Sequence, residues 1–406
     1  MRSSFVIFMC SADHNKTQTA DGRLVTSLCE DVYSLAGVQL RTIRERLTRR
    51  SEALVQAVGV IFKNLYEKQN KCRDIFCIDF ETCCAAANDF VRMSDKCEEI
   101  VSEIQEECEL SPNANETLEE QAAAIVGLYS SDAVYAAKKT HIYCFEPIEE
   151  AIANELFGVE WEVELTHNEL ALTLVRTLDD FMEDLETFLD EVMVQKAVEA
   201  QISSSINFYV RCMLKKASSH SNNKKSSFAD NEAAINRMRG DVTVMREYFD
   251  GLAETMPTLE RIIESEFSVL EAVIEILSIA AGISKSDAHD FILILQKRVR
   301  NVAITKFVVG DLYHLIQPSE ERGIYELIDG MEDELAAVAP TDEQAASSAH
   351  DRNTVPGLRT DEMMAKHCDE SKRNRPLKAG AMERAENALR GWRTNWGVAK
   401  QESMGK

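Results

Sequence analysis

One short pattern in the sequence has the residue types and spacing of a metal site. Di-iron sites in helical bundles use Glu-x-x-His, because residues three apart project from the same side of a helix, and each site needs two such motifs and two further Glu. Glu164-Leu-Thr-His167 matches once, and its only companion is Asp311-Leu-Tyr-His314. With eight histidines in the chain, we interpret the match as coincidental and predict no di-metal site.

Four cysteines also lie close together in the sequence, at Cys72, Cys77, Cys83 and Cys84. Structural zinc sites usually draw their thiolates from paired C-x2-C knuckles, which this C-x4-C-x5-C-C arrangement lacks. The chain has 11 cysteines, an odd number, and most lie in apolar, helix-like segments, which disfavours a secreted disulfide scaffold. We therefore expect reduced thiols that pack between helices in a cytosolic protein.

The common signatures of enzymes are missing as well. The sequence contains no G-x-x-x-x-G-K-[ST], G-x-G-x-x-G, H-E-x-x-H or G-x-S-x-G motif. These motifs cradle phosphates, bind dinucleotides, hold a catalytic zinc or expose a nucleophile. The sequence therefore predicts a non-enzymatic protein without catalytic residues, metal or cofactor.

The chain is strongly acidic, with 69 Asp and Glu against 45 Lys and Arg and a net charge of −24. Because nucleic-acid binding needs a basic surface, we predict no nucleic-acid partner. Between His141 and Glu191, Arg176 is the only Lys or Arg. This acidic run is either a solvated helix face or a docking surface for a basic partner. The candidate docking residues are Glu162, Glu164, Asp179, Asp180, Glu183 and Asp184.

The C-terminal tail carries a short basic amphipathic stretch at 381–398. Its apolar residues recur at intervals of 3, 4, 3 and 4, and arginines lie between them. Tryptophan beside arginine suits a lipid interface or a groove on a partner protein. The sequence has no run of the ~20 apolar residues that a membrane span needs, so membrane contact would be peripheral. The candidate contact residues are Met382, Leu389, Arg390, Trp392, Arg393 and Trp396.

Helices are the elements that must position these residues. Only 16 Gly and 7 Pro occur, too few for a turn-rich all-β fold. Ile235, Met238, Val242, Met245 and Phe249 follow a helical period, and we find no alternating strand pattern. The pattern predicts an all-α protein, an elongated rod of stacked antiparallel helical bundles with a disordered C-terminal tail.

Composition divides the chain into five parts. A polar run at 218–229 separates two helical bundle blocks, 21–217 and 230–339. Residues 1–20 are expected to be an unstructured start that need not be native. Residues 340–406 are expected to be disordered, because this segment has no Ile, Phe or Tyr with which to offset its ordering entropy.

Four stretches resemble a known family. They begin at Cys83 (CCAAANDFVRM), Thr177 (TLDDFMEDL), Tyr209 (YVRCMLKK) and Arg237 (RMRGDVTVMREYFDGL). Together they resemble the C-terminal half of the Sec-six subunit of the exocyst, the complex that tethers secretory vesicles to the plasma membrane. The resemblance runs from about residue 20 to 315, and its motifs are patterns of helix packing rather than chemical signatures.

The resemblance implies a non-enzymatic tethering subunit that acts in exocytosis before SNARE-mediated fusion. Its implied partners are other exocyst subunits, SNARE proteins and Sec1/Munc18-type regulators, and its implied location is the cytoplasm, peripherally at the plasma membrane at sites of secretion. Members of the family have an N-terminal coiled coil that precedes the part matched by this chain. The alternative function is an acidic helical adaptor, recruited to a membrane or a partner through its basic Trp-containing tail.

Overall fold

The structure is a computed structural model that describes residues 16–47, 49–70, 73, 77–163, 168–218, 227–281, 312, 315 and 316. Within these residues the chain forms a hairpin of two short strands, each of two residues, and nine α-helices, so the all-α prediction is confirmed. The strands are β1 (Thr17–Gln18) and β2 (Leu24–Val25). The helices are α1 (Leu28–Leu47), α2 (Ser51–Asn70), α3 (Phe80–Glu107), α4 (Pro112–Ile152), α5 (Val159–Val163), α6 (Glu169–Phe188), α7 (Glu191–Ser218), α8 (Asn231–Ala253) and α9 (Glu260–Ala281).

The chain forms two compact units that alternate along the sequence. Unit 1 comprises Met1–Glu149 and Arg176–Ser204, and unit 2 comprises Glu150–Val175 and Ser205–Lys406. These divisions differ from the sequence blocks 21–217 and 230–339, which separate at 218–229, a segment that lies mostly outside the described residues. The tail 340–406 also lies outside them. β1 falls within the start, residues 1–20, that was expected to be unstructured.

Unit 1 contains a bundle of four helices. The Tyr33 hydroxyl donates a hydrogen bond to the carbonyl of Met93, and Arg44 forms an ion pair with Glu103 farther along both helices. Helices α1 and α3 therefore run in the same direction. Helix α4 runs parallel to α2. The Ser111 hydroxyl, just before α4, donates a hydrogen bond to Glu52, and the Tyr129 hydroxyl donates one to Gln69. Ser51 Oγ donates to the carbonyl of Glu109 and Gln69 Nε2 approaches Met93 Sδ, so α2 is antiparallel to α3. The four helices therefore alternate up and down, as the antiparallel bundle prediction requires.

In unit 2, α8 and α9 form an antiparallel pair. Arg246 bonds Glu264 and Glu271, whereas Arg239, two turns earlier on α8, reaches Ser278 farther along α9. The apolar stripe from Ile235 to Phe249 is buried, as its helical period predicts. Apolar burial on the facing sides therefore holds this pair together.

Local signals explain where several helices begin. Asp79 and Thr82 form a capping box at the start of α3. Asp230 is the N-cap of α8, and its Oδ1 accepts a hydrogen bond from the backbone N–H of Ala233 at 3.1 Å. Pro257 opens a 3₁₀ turn that leads into α9. Pro147, in contrast, lies inside α4 near its last turn and does not end that helix. Its missing N–H costs one bond of the helix, which the packing of α4 in the bundle outweighs.

Candidate functional site

Unit 2 is organised around one buried carboxylate. Asp241 of α8 is fully buried and accepts hydrogen bonds from Trp161 Nε1 at 3.0 Å, Asn168 Nδ2 at 2.6 Å and Tyr209 OH at 2.8 Å. Burial raises the pKa of the Asp241 carboxyl, while the bonds from Asn168, Tyr209 and Trp161 oppose that rise. Three donors from three chain segments thus converge on a single side chain, which we call the Asp241 node.

An aromatic cluster lies beside the Asp241 node. The ring of Phe157 packs edge-on against Trp161 and Tyr209, with centroids 4.8 and 5.0 Å away, and Phe228 lies beside Phe157 and Trp161. Phe157 has a φ of 64°, in the left-handed region that a bulky residue rarely adopts. Because its side chain is fully buried in this cluster, packing offsets the cost of that backbone conformation. The cluster and the node together hold the short helix α5 in place.

Unit 1 has a buried polar pair of its own at Asn88 and Asp89 of α3. Asn88 Nδ2 donates to the carbonyls of Leu24 and Phe188, both at 2.7 Å, and its Oδ1 accepts from the N–H of Asp190 at 3.0 Å. Asp89 accepts from the N–H and the hydroxyl of Thr26, just before α1 begins. Burial raises the pKa of the Asp89 carboxyl to about 7, against the lowering effect of the Thr26 bonds. We call this arrangement the Asn88–Asp89 pair, and it satisfies backbone groups where chain segments begin and end.

Five of the six candidate docking carboxylates fall within the described residues, four in unit 1 and one in unit 2. Asp179, Asp180, Glu183 and Asp184 are exposed on α6 in unit 1, and we call these four residues the acidic face of α6. Glu162 belongs to unit 2, where it accepts from Lys216 Nζ at 2.7 Å and from the N–H of Ala229 at 2.8 Å. Its side chain is mostly buried and forms an ion pair with Lys216.

Several of the predicted features fall outside the described residues. They include Glu164 and His167 of the Glu-x-x-His match, its companions Asp311 and His314, and Cys72. The tail candidates Met382, Leu389, Arg390, Trp392, Arg393 and Trp396 lie outside as well. Within the described ranges, no three His, Cys, Asp or Glu side chains come together in a group that could hold a metal ion.

The cysteines of the described residues are buried and form no disulfide there, which agrees with their predicted place between packed helices. Burial raises the pKa of Cys29 and Cys144 to about 12 and that of Cys97 to about 11. Since the thiolate is the form that attacks electrophiles and binds metals, these side chains are poor nucleophiles at neutral pH. Their role in the structure is to fill the core.

The buried polar residues were missed by sequence reasoning, although they lie in the stretches that carry the family resemblance. Asn88 and Asp89 follow three alanines in the stretch that begins at Cys83. Asp241 lies between Met238 and Val242 of the apolar stripe, and Tyr209 opens its own stretch. A carboxylate within an otherwise apolar helical stripe was the available signal, because burying a charge is costly unless donors surround it.

These features define a class of protein, a helical bundle whose distinctive residues serve packing and buried hydrogen bonding. Within the described residues, no helix combines the length and apolar content needed to cross a bilayer. A family model described as exocyst complex component Sec6 matches residues 25–285, which is more than half of the 406 residues. The chain therefore belongs to the exocyst Sec6 family, and the resemblance seen in the sequence is confirmed.

A solved structure supports the fold independently. The chain is similar to the crystal structure of the C-terminal domain of the exocyst subunit Sec6p, with a TM-score of 0.64 and 13% sequence identity. The match covers 86% of this chain and 88% of that one. No curated protein matches the chain significantly. At this identity the likeness establishes the helical fold.

Proposed function

We propose that this chain is a non-enzymatic subunit of the exocyst that helps to tether secretory vesicles to the plasma membrane before SNARE-mediated fusion. The observation that carries the proposal is the family match over residues 25–285. The similarity to the C-terminal domain of Sec6p adds support for the same helical scaffold. Such a subunit works through extended helical surfaces, with other exocyst subunits as its first partners and with SNARE proteins and Sec1/Munc18-type regulators as further ones.

On this proposal the chain is cytoplasmic and reaches the plasma membrane peripherally, at sites of secretion. We propose the acidic face of α6 as one of its partner surfaces. Its four carboxylates are exposed, and Asp179 and Asp180 lie one turn before Glu183 and Asp184 on the same helix. A basic helix of a partner subunit would find them accessible, and their charge would speed its approach.

Affinity purification of the tagged full-length chain, followed by mass spectrometry, tests the tethering function. We expect the other exocyst subunits to be recovered and the chain to be enriched at sites of secretion. Recovery of the endogenous full-length protein without any exocyst subunit would contradict the proposal. Membrane recruitment that requires residues 381–398 and no exocyst partner would favour the adaptor alternative instead.

The partner role of the acidic face of α6 needs a matched comparison. The test variant is Asp179→Asn, Asp180→Asn, Glu183→Gln and Asp184→Asn; the control neutralises four other exposed carboxylates of unit 1, with Glu98→Gln, Glu106→Gln, Glu116→Gln and Glu120→Gln. Both variants change the net charge equally. Reduced recovery of exocyst subunits in the test variant alone would support the surface, whereas equal recovery from both would exclude it.

A further inference from the structure

The outward side of α5 carries an exposed apolar pair. Val159 and Val163 are 77% and 67% exposed, and because they lie four residues apart they share one side of the helix. The other large apolar side chains left exposed in the described part of the chain occur one to a helix or loop, at Val38, Val60, Ile78, Leu128 and Val192. Scattered single apolar residues are normal on a surface, whereas two on one side of a helix form a small patch that an apolar segment can cover.

The rest of the molecule holds this pair in a fixed position. Trp161 lies between the two valines in sequence and points inward, where it is 2% exposed and donates to Asp241. Just before α5, Phe157 adopts a left-handed backbone conformation, and its ring is buried beside Trp161. The turn at Phe157 and the buried anchor Trp161 therefore hold the two exposed valines in a fixed position.

Negative charge borders one flank of the valines. Glu160 lies next to Val159 on the helix and is exposed, and Glu155 is exposed just before α5. On the opposite flank, Glu162 is neutralised by its ion pair with Lys216. The outward side of α5, defined as Val159, Val163, Glu155 and Glu160, therefore suits an apolar segment with basic residues along one edge.

The chain contains a segment of that chemistry at 381–398. Leu389, Trp392 and Trp396 lie at spacings of 3 and 4, and Arg390 and Arg393 border them. We propose that this segment docks on the outward side of α5, with its apolar residues over Val159 and Val163 and its arginines near Glu155 and Glu160. The 64 residues between Ile316 and Ala381 would extend to roughly 200 Å, so chain length permits the contact.

Acrylamide quenching of tryptophan fluorescence tests the proposal in the full-length chain. The only three tryptophans are Trp161, Trp392 and Trp396, and Trp161 is buried. If the segment is docked, Val159→Glu with Val163→Glu should raise the quenching constant roughly twofold, because both tail rings become accessible. The control Val192→Glu, at a valine 58% exposed in unit 1, should leave it unchanged. The same substitutions in a Trp392→Phe, Trp396→Phe chain report on Trp161 alone and should have no effect there.

A charge exchange provides a second, independent readout. Arg390→Glu with Arg393→Glu should raise quenching as the valine variant does, and adding Glu155→Arg with Glu160→Arg should restore the protection. A structural defect in α5 would not be rescued in this way. Equal quenching of the wild-type, valine and charge variants would overturn the proposal. Shielding that appears only when phosphatidylserine vesicles are added would also overturn it, since the segment would then bind a lipid surface.

Discussion

The Asp241 node of unit 2 and the Asn88–Asp89 pair of unit 1 each bury a carboxylate among helices, but the hydrogen-bond donors to the two carboxylates differ in kind. Asp241 receives three side-chain donors, Trp161, Asn168 and Tyr209, from separate segments. Asp89 instead receives the N–H and hydroxyl of one residue, Thr26, while Asn88 binds backbone groups of Leu24, Phe188 and Asp190.

The difference concerns what each site holds in place. The Asp241 node fixes side chains, and through Trp161 it fixes the position of α5. The Asn88–Asp89 pair fixes backbone, where β2 ends and α1 begins and where α6 gives way to α7. Loss of a buried acceptor should therefore cost more at the Asp241 node, where more donors would be left without a partner.

The largest expected effect follows from Asp241→Ala. This substitution removes the acceptor of three buried donors and should lower the free energy of unfolding by about 3–5 kcal/mol. The free energy of unfolding is measured by urea unfolding, which is followed by the fluorescence emission of Trp161 in a Trp392→Phe, Trp396→Phe chain. On the same helix, Asp250→Ala serves as control; its carboxylate is exposed and 3.7 Å from Arg246, so the change should stay within about 0.5 kcal/mol. Similar losses for both variants would mean that the buried Asp241 node contributes no more to stability than an exposed carboxylate.

The next effect is a pH dependence at Asp89. Because its folded pKa of about 7 exceeds the ordinary value of 3.8, the folded protein retains a proton that the unfolded chain loses between these values. The contribution of this proton to stability is therefore present below about pH 4 and is lost as the pH rises through 7. Relative to Asp89→Asn, the wild-type chain should lose roughly 3 kcal/mol between pH 4 and pH 7. Urea unfolding followed by circular dichroism across this range measures it, and a constant difference between the two chains would contradict it.

A smaller effect on stability, opposite in sign, is expected from alanine substitution at two glycines of α8. A Cβ at Gly240 would lie 2.8 Å from Asn168 Nδ2, which cannot easily move because it bonds Asp241 and the carbonyl of Arg237. Gly240→Ala should destabilise the protein by about 2 kcal/mol. At Gly251 a Cβ would meet nothing within 4 Å, so Gly251→Ala should stabilise by about 0.5 kcal/mol. Thermal unfolding of the two variants gives opposite shifts in Tm if the Asp241 node is as rigid as its bonds indicate.

The smallest effect concerns the acidic face of α6, which lies outside both buried sites. Asp179 and Glu183, and likewise Asp180 and Asp184, are like charges four residues apart on a helix. The variant that neutralises all four should therefore be more stable than wild type, by about 0.5 kcal/mol. Thermal unfolding at low ionic strength measures this, and high salt should shrink the difference. A loss of stability would mean that these carboxylates serve the fold rather than a partner.

Much of the fold could be predicted because helices depend on local information. The stripe from Ile235 to Phe249 was predicted from its helical spacing, and the N-cap Asp230 and Pro257 likewise act within a few residues of their own positions. The hairpin of β1 and β2 was missed because two-residue strands are too short to alternate. Pro147 lies inside α4, because the bundle tolerates there a residue that usually ends a helix.

The candidate sites were predictable only in part. The exposure of Asp179, Asp180, Glu183 and Asp184 follows from their place opposite the apolar side of α6. The pairing of Glu162 with Lys216, 54 residues away, does not follow from any local pattern. Ion pairs and buried hydrogen bonds between distant segments form only when the chain has folded.

The sequence by itself therefore determined the helices, the acidic charge and the family of this protein, since each of these depends on residue type and short-range spacing. Only the tertiary structure decided which polar residues are buried and which carboxylates remain free. Asp241 and Asp179 have the same chemistry in the sequence. The donors that surround one, and the solvent that surrounds the other, come from the folded arrangement of segments far apart in the chain.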